Sequence, residues 1–227
     1  AFEGGSVREF PYWQLKVEAP LKFSEQEARK HLRDKICESV KIRMTSDVPL
    51  GAFLSGGIDS SIVVAAMAEA SPQRVKTFSI GFDDPAYDET KYARIVADRF
   101  ATDHTEEVVR PHYSDLIESI LRDFDEPFGD SSALPTYVVS KLTRKHVTVV
   151  LSGDGGDELF GGYDLYSTAL RELVFDRIPS IARPAIGILA ALYPGQLRGG
   201  NTLHRMSLKN GRERYIDRFK LMSDRER

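Results

Sequence analysis

The 227-residue sequence holds a single cysteine, Cys37. One thiol excludes an internal disulfide framework and any Cys-x-x-Cys metal or redox site. A basic excess is also missing. Thirty-one Lys+Arg stand against 34 Asp+Glu, a net charge of −3, which gives no support for a general nucleic-acid-binding surface. Long apolar runs are few. The longest late in the chain, 184–197, contains Pro and Gly and is too short to span a bilayer. The opening Ala1-Phe2-Glu3-Gly4-Gly5 has neither the basic nor the apolar region of a signal peptide. His31, His104, His112, His146 and His204 lack metal-ligand spacing, so solvated or capping roles are expected of them. What is present is 41% hydrophobic and 29% charged, a mix that can build a sizeable core. The expectation is a globular chain in a reducing, cytoplasmic compartment, one full domain plus an appendage.

Residues 1–23 read as a linker, with two Gly, two Pro and scattered aromatics but no sustained periodicity. Ser24-Glu25-Gln26-Glu27 is a capping box. Behind it Ala28, Leu32, Ile36 and Val40 form a helical stripe, and Cys37 beside it is expected to be a small buried hydrophobe. Strand and helix patterns then alternate. Strands are expected at 48–54, 75–82, 104–109 and 146–151. Helices are expected at 60–70, 89–100, around Leu116–Leu121 positions 116–121, and at 136–145 with Pro135 in its first turn. A carboxylate- and hydroxyl-rich loop occupies 123–134, with a solvated and a substrate-covering role both open. Such alternation predicts a doubly wound α/β domain around a parallel sheet. After Tyr163 the pattern becomes helices broken at Pro179, Pro184 and Pro194, and the Arg/Lys content after Arg198 reads as an exposed helical face.

The sharpest string is Leu54-Ser55-Gly56-Gly57-Ile58-Asp59-Ser60-Ser61, placed where a strand gives way to a helix. Adjacent glycines let the backbone turn tightly and bring its N–H groups against a ligand. The helix behind presents unpaired N–H groups and a positive dipole end, and the serines add hydroxyl donors. The nest suits a phosphate, and Asp59 makes sense there if Mg²⁺ bridges carboxylate and phosphate oxygens. No lysine follows as in a Walker A loop, and neither Gly-x-Gly-x-x-Gly nor Gly-x-Ser-x-Gly occurs at this turn. Gly-Gly alone would equally be a plain strand-to-helix turn. The second block, from Ser152-Gly153-Asp154-Gly155-Gly156-Asp157 to Tyr163, follows another expected buried strand. Ligands bind beyond the carboxyl ends of strands in open α/β sheets, so both blocks are expected on one edge, with Asp59 and Asp157 as the natural metal pair.

The first string resembles the PP-loop of the N-type ATP pyrophosphatases, which cleave ATP between its α and β phosphates. The two blocks together resemble the synthetase domain of the glutamine-dependent, class B asparagine synthetases, over residues 24–163. Asp88-Glu89-Thr90, Asp103-His104 and Asp125-Glu126-Pro127-Phe128-Gly129-Asp130-Ser131-Ser132 are also in that family's style. The resemblance implies ATP and Mg²⁺ as cofactors. It implies that Ser55, Gly56, Gly57 and Ser60 hold pyrophosphate, that Leu54 and Ile80 meet the adenosine, and that Ser152 and Gly153 contact the nucleotide near its α-phosphate. Asp59 and Asp157 would bind the metal, and Asp154 would be the catalytic acidic residue, where relatives carry Glu or Asp.

The implied reaction adenylates aspartate, releases pyrophosphate, and lets ammonia from glutamine give asparagine and AMP. The family's glutaminase nucleophile is an N-terminal cysteine, and this chain starts at Ala1, so residues 1–23 are expected to link to a glutaminase domain absent here. The family's catalytic lysine would fall past Arg227, and 164–227 is expected to be a truncated helical extension. Three other readings stay open. A relative could activate a β-lactam, peptide or sugar acid. A tRNA-thiolating relative would need cysteine pairs and a basic surface. A nucleotide-binding module could lack activity of its own. A small-molecule acid and ammonia are the expected partners, without nucleic acid or membrane, in a possible homodimer.

Overall fold

The computed structural model describes residues 2–16, 20–84, 88–109, 113–124, 126, 129–130, 132–193 and 199–219. His112, Asp125, Pro127, Phe128, Ser131 and Pro194 lie outside the described residues. The chain divides into two compact units. One comprises Ala1–Gly57 and Ser61–Leu151; the other comprises Ile58–Ser60 and Ser152–Arg227.

In the first unit, β1 (Phe2–Glu3) and β2 (Ser6–Val7) pair antiparallel. The rest of the described stretch before residue 24 carries no regular element. Ser24 then caps α1 (Glu25–Arg43). Its hydroxyl accepts from Glu27 N–H, and the Glu27 carboxylate accepts from Ser24 N–H at 2.9 Å. The capping box is therefore formed as its spacing predicts. The Ser24 hydroxyl, which also donates to the Glu27 carboxylate at 2.7 Å, and after it the Ser24 N–H hold that carboxyl below the usual range.

The alternation after α1 builds β3 (Leu50–Phe53), α2 (Ile58–Ala70), β4 (Lys76–Phe82), α3 (Thr90–Arg99), β5 (Asp103–Val109), α4 (Tyr113–Asp123), α5 (Ala133–Thr143) and β6 (Val149–Leu151). Among the described residues these strands form a parallel sheet ordered β5-β4-β3-β6. The chain moves outward from β3 to β5 and then returns to the other side of β3. Right-handed crossovers put the helices of the two directions on opposite faces. On one face Ala52 and Leu54 pack with Val40 of α1, Val64 and Met67 of α2, and Ala93 and Ala97 of α3. On the other, α5 packs on β4, and Phe78 lies 5.6 Å from His146, ring to ring. The doubly wound α/β class is thus observed.

Several boundaries differ from the sequence pattern. The 136–145 helix begins at Ala133 and ends at Thr143, so Pro135 is its third residue, where an N–H would go unused anyway. Strand 146–151 shrinks to Val149–Leu151, because residues 144–146 turn instead. It is not the buried strand its β-branched run suggests. As an edge strand of the described sheet it leaves Val149 39% exposed. Cys37 is half-buried rather than buried: its Sγ lies 3.9 Å from a Glu69 carboxylate oxygen, across a gap lined by α1 and α2. Leu32 of the same stripe is exposed.

The second unit holds α6 (Gly156–Phe160), α7 (Asp164–Glu172), two 3₁₀ turns (Leu173–Arg177 and Ser180–Ala182), α8 (Arg183–Leu192), α9 (Gly200–Ser207) and α10 (Gly211–Asp217). Pro179 precedes the second turn as expected of a breaker. Pro184 instead starts α8, where its fixed φ suits the first turn. The basic residues here are not simply an exposed face. Arg214 is 1% exposed and donates to Asp176. Arg205 and Arg218 both meet one Glu172 oxygen, at 2.8 and 2.7 Å. The Arg183 guanidinium donates to the carbonyls of Met206, Leu208, Phe175 and Ile178. Guanidinium groups thus tie these short helices together through backbone carbonyls and carboxylates.

Candidate active site

The first loop leaves β3 at Leu54. That residue is 1% exposed. Its N–H donates to Phe78 O at 2.9 Å, and its carbonyl accepts from the buried Ser79 hydroxyl. The chain then turns through Ser55 and Gly56. Gly56 has φ +81°, and a Cβ there would lie 2.5 Å from both Ala93 N and Tyr92 Cβ. Left-handed backbone and close approach to α3 both demand glycine. Gly57 N–H donates to Ser55 Oγ at 3.2 Å. Gly57 also caps α2 with no side-chain hydrogen bond, so the acceptor that Ser, Thr or Asp would bring to a helix N-terminus is missing from the cap itself. An anion can take that role.

Leu54, Ser55 and Ile80 line one cavity of about 230 Å³. Its other walls are Phe53, Phe78, Ser79 and Phe82 from the strands, Glu89, Thr90 and Ala93 from the start of α3, and Pro135, Thr136 and Val139 from α5. Glu89 and Thr90 belong to the string Asp88-Glu89-Thr90 that carries part of the resemblance; Ala93 and the α5 wall were not read as site residues. They are ordinary helix residues, and only the sheet order brings them to this edge.

The second loop leaves β6, which pairs directly with β3 in parallel register. It does not stay a loop: Gly155 (φ +89°) starts α6, with Asp157 and Glu158 in the first turn. Within the second unit this segment meets the first turn of α2. A Cβ at Gly153 would lie 2.7 Å from Ser60 N and 2.9 Å from Asp59 Cβ. One at Gly156 would lie 2.4 Å from Asp59 Cγ and 2.7 Å from each of its oxygens. The Asp59 carboxylate thus rests on the backbone of the residue just before Asp157. The Asp157 carboxylate is itself accommodated by Gly162, where a Cβ would fall 1.9 Å from Oδ1. Ser60 is buried. Asp154 is exposed and accepts from Ser152 Oγ at 2.8 Å. Tyr163 donates to Glu158 at 2.7 Å; that bond pushes the phenol up to about 12 and draws the Glu158 carboxyl down.

The family model for asparagine synthase matches residues 31–227. The chain belongs to the asparagine synthase family. It is 40% identical over 206 residues to asparagine synthetase (glutamine-hydrolyzing) 1 of Bacillus subtilis, covering 90% of this chain and 32% of that protein. It is 45% identical over 179 residues to a Methanocaldococcus jannaschii protein provisionally named asparagine synthetase (glutamine-hydrolyzing) 2, covering 78% and 34%. The chain therefore spans about a third of the length of these relatives. Among solved structures, the NMN synthetase of Francisella tularensis aligns with a TM-score of 0.42 at 17% identity, over 63% of this chain and 59% of that one.

Among the described residues no three His, Cys, Asp or Glu side chains converge on one point. The Asp59 carboxylate lies against Gly156 and the Asp157 carboxylate against Gly162, so this segment offers hard oxygen donors but no protein cage. That fits a hard cation which keeps several waters and takes its remaining ligands from phosphate, rather than a metal held by a full protein cage. No described helix is long and apolar enough to cross a membrane.

Proposed function

We propose that this chain is the ATP-using part of an amide-forming synthetase whose acid substrate is aspartate and whose product is asparagine. The supporting observation is the placement of Asp59 against the Gly156 backbone, one residue from Asp157, on loops leaving paired strands. The aspartate side-chain carboxylate attacks the α-phosphorus of ATP, and the bond to the β-phosphate oxygen breaks. Pyrophosphate departs and an acyl-adenylate remains. Ammonia, supplied from glutamine by a further part of the full-length enzyme, attacks the acyl carbon, and AMP leaves with the mixed-anhydride oxygen.

Backbone N–H groups of Gly56 and Gly57 and the first turn of α2, with Ser55 and Ser60, bind the departing pyrophosphate. Leu54 and Ile80 bound the adenosine, and Ser152 and Gly153 the α-phosphate end. Mg²⁺ held by Asp59 and Asp157 would neutralise charge on the phosphate oxygens. Asp154 acts in adenylate formation. The work is positioning and charge neutralisation. A reducing, cytoplasmic setting fits the single cysteine. The test is aspartate-dependent ATP–pyrophosphate exchange in the full-length enzyme. Asp59→Ala is expected to lower it by about a hundredfold or more. Near-normal exchange in that variant sinks the metal role, and exchange supported by a different acid replaces aspartate as the substrate.

A further inference from the structure

The ladder between β3 and β4 runs from Gly51↔Lys76 to Phe53↔Phe78 and stops there. The next residue, Leu54, is nevertheless gripped at both backbone polar atoms by β4. Its N–H donates to Phe78 O at 2.9 Å, and its carbonyl accepts a hydrogen bond from the Ser79 hydroxyl. Ser79 is 4% exposed and Leu54 1%, so neither end of this bond is exchanged with water. One residue further the chain must turn sharply, through Ser55 and the left-handed Gly56. The hydroxyl therefore sits at the point where regular strand pairing gives way to the loop. Its neighbour in sequence, Ile80, and its bonding partner, Leu54, line the same cavity as Ser79 itself.

From this we infer that Ser79 is a positioning residue for ATP: it fixes the Leu54 carbonyl so that the phosphate loop and the adenosine wall keep one relative geometry. This deepens the nucleotide reading proposed above and rests on it. A hydrophobe of the same size would fill the site equally well but could not hold the carbonyl. The loop would then pay an ordering cost each time nucleotide binds, which appears in binding and not in the chemistry after binding. Ser79 touches no reacting atom, so the effect belongs to the KM for ATP.

The experiment compares full-length wild type with Ser79→Ala, Ser79→Thr and Ser79→Cys, following exchange at varied ATP and melting each protein. Wild-type exchange saturating with ATP establishes the nucleotide site; its absence would remove that reading and this inference with it. Given wild-type exchange, Ser79→Ala is expected to raise the KM for ATP about tenfold, the scale of a buried carbonyl left unpaired. Its kcat and its KM for the acid should stay near wild type, and Ser79→Thr, which retains the hydroxyl, should restore the ATP value. An unchanged KM for ATP in Ser79→Ala, or an equal loss in kcat and in both KM values, overturns the inference while leaving the nucleotide site standing. If Ser79→Ala does not fold, Ser79→Cys, a weak donor, decides: a KM for ATP above that of Ser79→Thr supports the role, and equality between the two overturns it.

Discussion

Glycine at Gly56 and glycine at Gly156 look alike in the sequence and do different things. A Cβ on Gly56 would strike the backbone of Ala93 at 2.5 Å from a φ of +81°. Backbone cannot swing aside, and the left-handed conformation alone costs about 1–2 kcal/mol for an L-residue. Gly56→Ala is expected to lower the melting temperature clearly and to abolish exchange. At Gly156 the obstacle is the far end of the Asp59 side chain, which can rotate away. Gly156→Ala should melt close to wild type yet lose most of its exchange, because the displaced group is the proposed metal ligand. Equal melting of the two variants would contradict this division. His104 gives a residue-scale pH effect. Burial holds its imidazole below the usual range, and its Nδ1 lies 2.9 Å from the Thr77 hydroxyl. A lowered folded-state value means that the neutral ring's contribution is complete above pH about 6.5 and is lost as pH falls through the lowered value. His104→Gln should therefore lose less melting temperature than wild type between pH 7.5 and 5; an equal loss in both counts against the assignment. The glycine-serine motif was readable because its residues are needed for backbone geometry. The partly buried His104 was not: nothing near it in the chain announces Thr77, which arrives from the neighbouring strand.

Elements were legible where local chemistry defines their ends. Ser24 and Glu27 mark the start of α1, and Ser24→Ala should destabilise the fold by about 1 kcal/mol, measured by denaturant melting; an unchanged midpoint would show that the exposed box adds nothing. The ends of α5 and β6 were misread because β-branched and Pro signals say what residues prefer, not which turn ends the helix. The basic helices after α7 were misread for a related reason: charge predicts exposure only where no partner waits inside. Arg214 is 2% exposed in its side chain and pairs with Asp176, which is 45% exposed; among the described residues its Nε and Nη1 find no hydrogen-bond partner. The asymmetry fixes the order of effects. Removing Asp176 leaves a guanidinium buried without its carboxylate, a loss of about 3–5 kcal/mol. Removing Arg214 leaves a carboxylate that water already reaches. Asp176→Ala is thus expected to melt lower than Arg214→Met, and the opposite order would show that Arg214 matters through its packing.

At the scale of the molecule, the strand order explains why a nucleotide site belongs where the cavity is. The cavity opens at the carboxyl ends of β3 and β4, between α3 and α5, and the carboxyl edge of the strands is the common place for ligands in doubly wound sheets. The alternation of strands and helices in the sequence foretold the fold class, and the first glycine corner begins at Leu54 and Ser55, which line the cavity. The α5 wall could not be read in advance, since Val139 reaches the cavity that Thr90 lines only after β4 has been placed between their helices. That makes Val139 a useful probe. It is half-buried, its side chain carries no hydrogen-bonding group, and it lines a cavity of about 230 Å³. An indole in its place would occupy space the fold leaves unfilled, so little strain against existing packing is expected. Val139→Trp should keep the wild-type melting temperature and lose ATP binding by calorimetry, with Mg²⁺ present in both titrations. Undiminished ATP affinity in a folded Val139→Trp protein would place the adenosine elsewhere, and Leu54 and Ile80 would lose their assigned role with it.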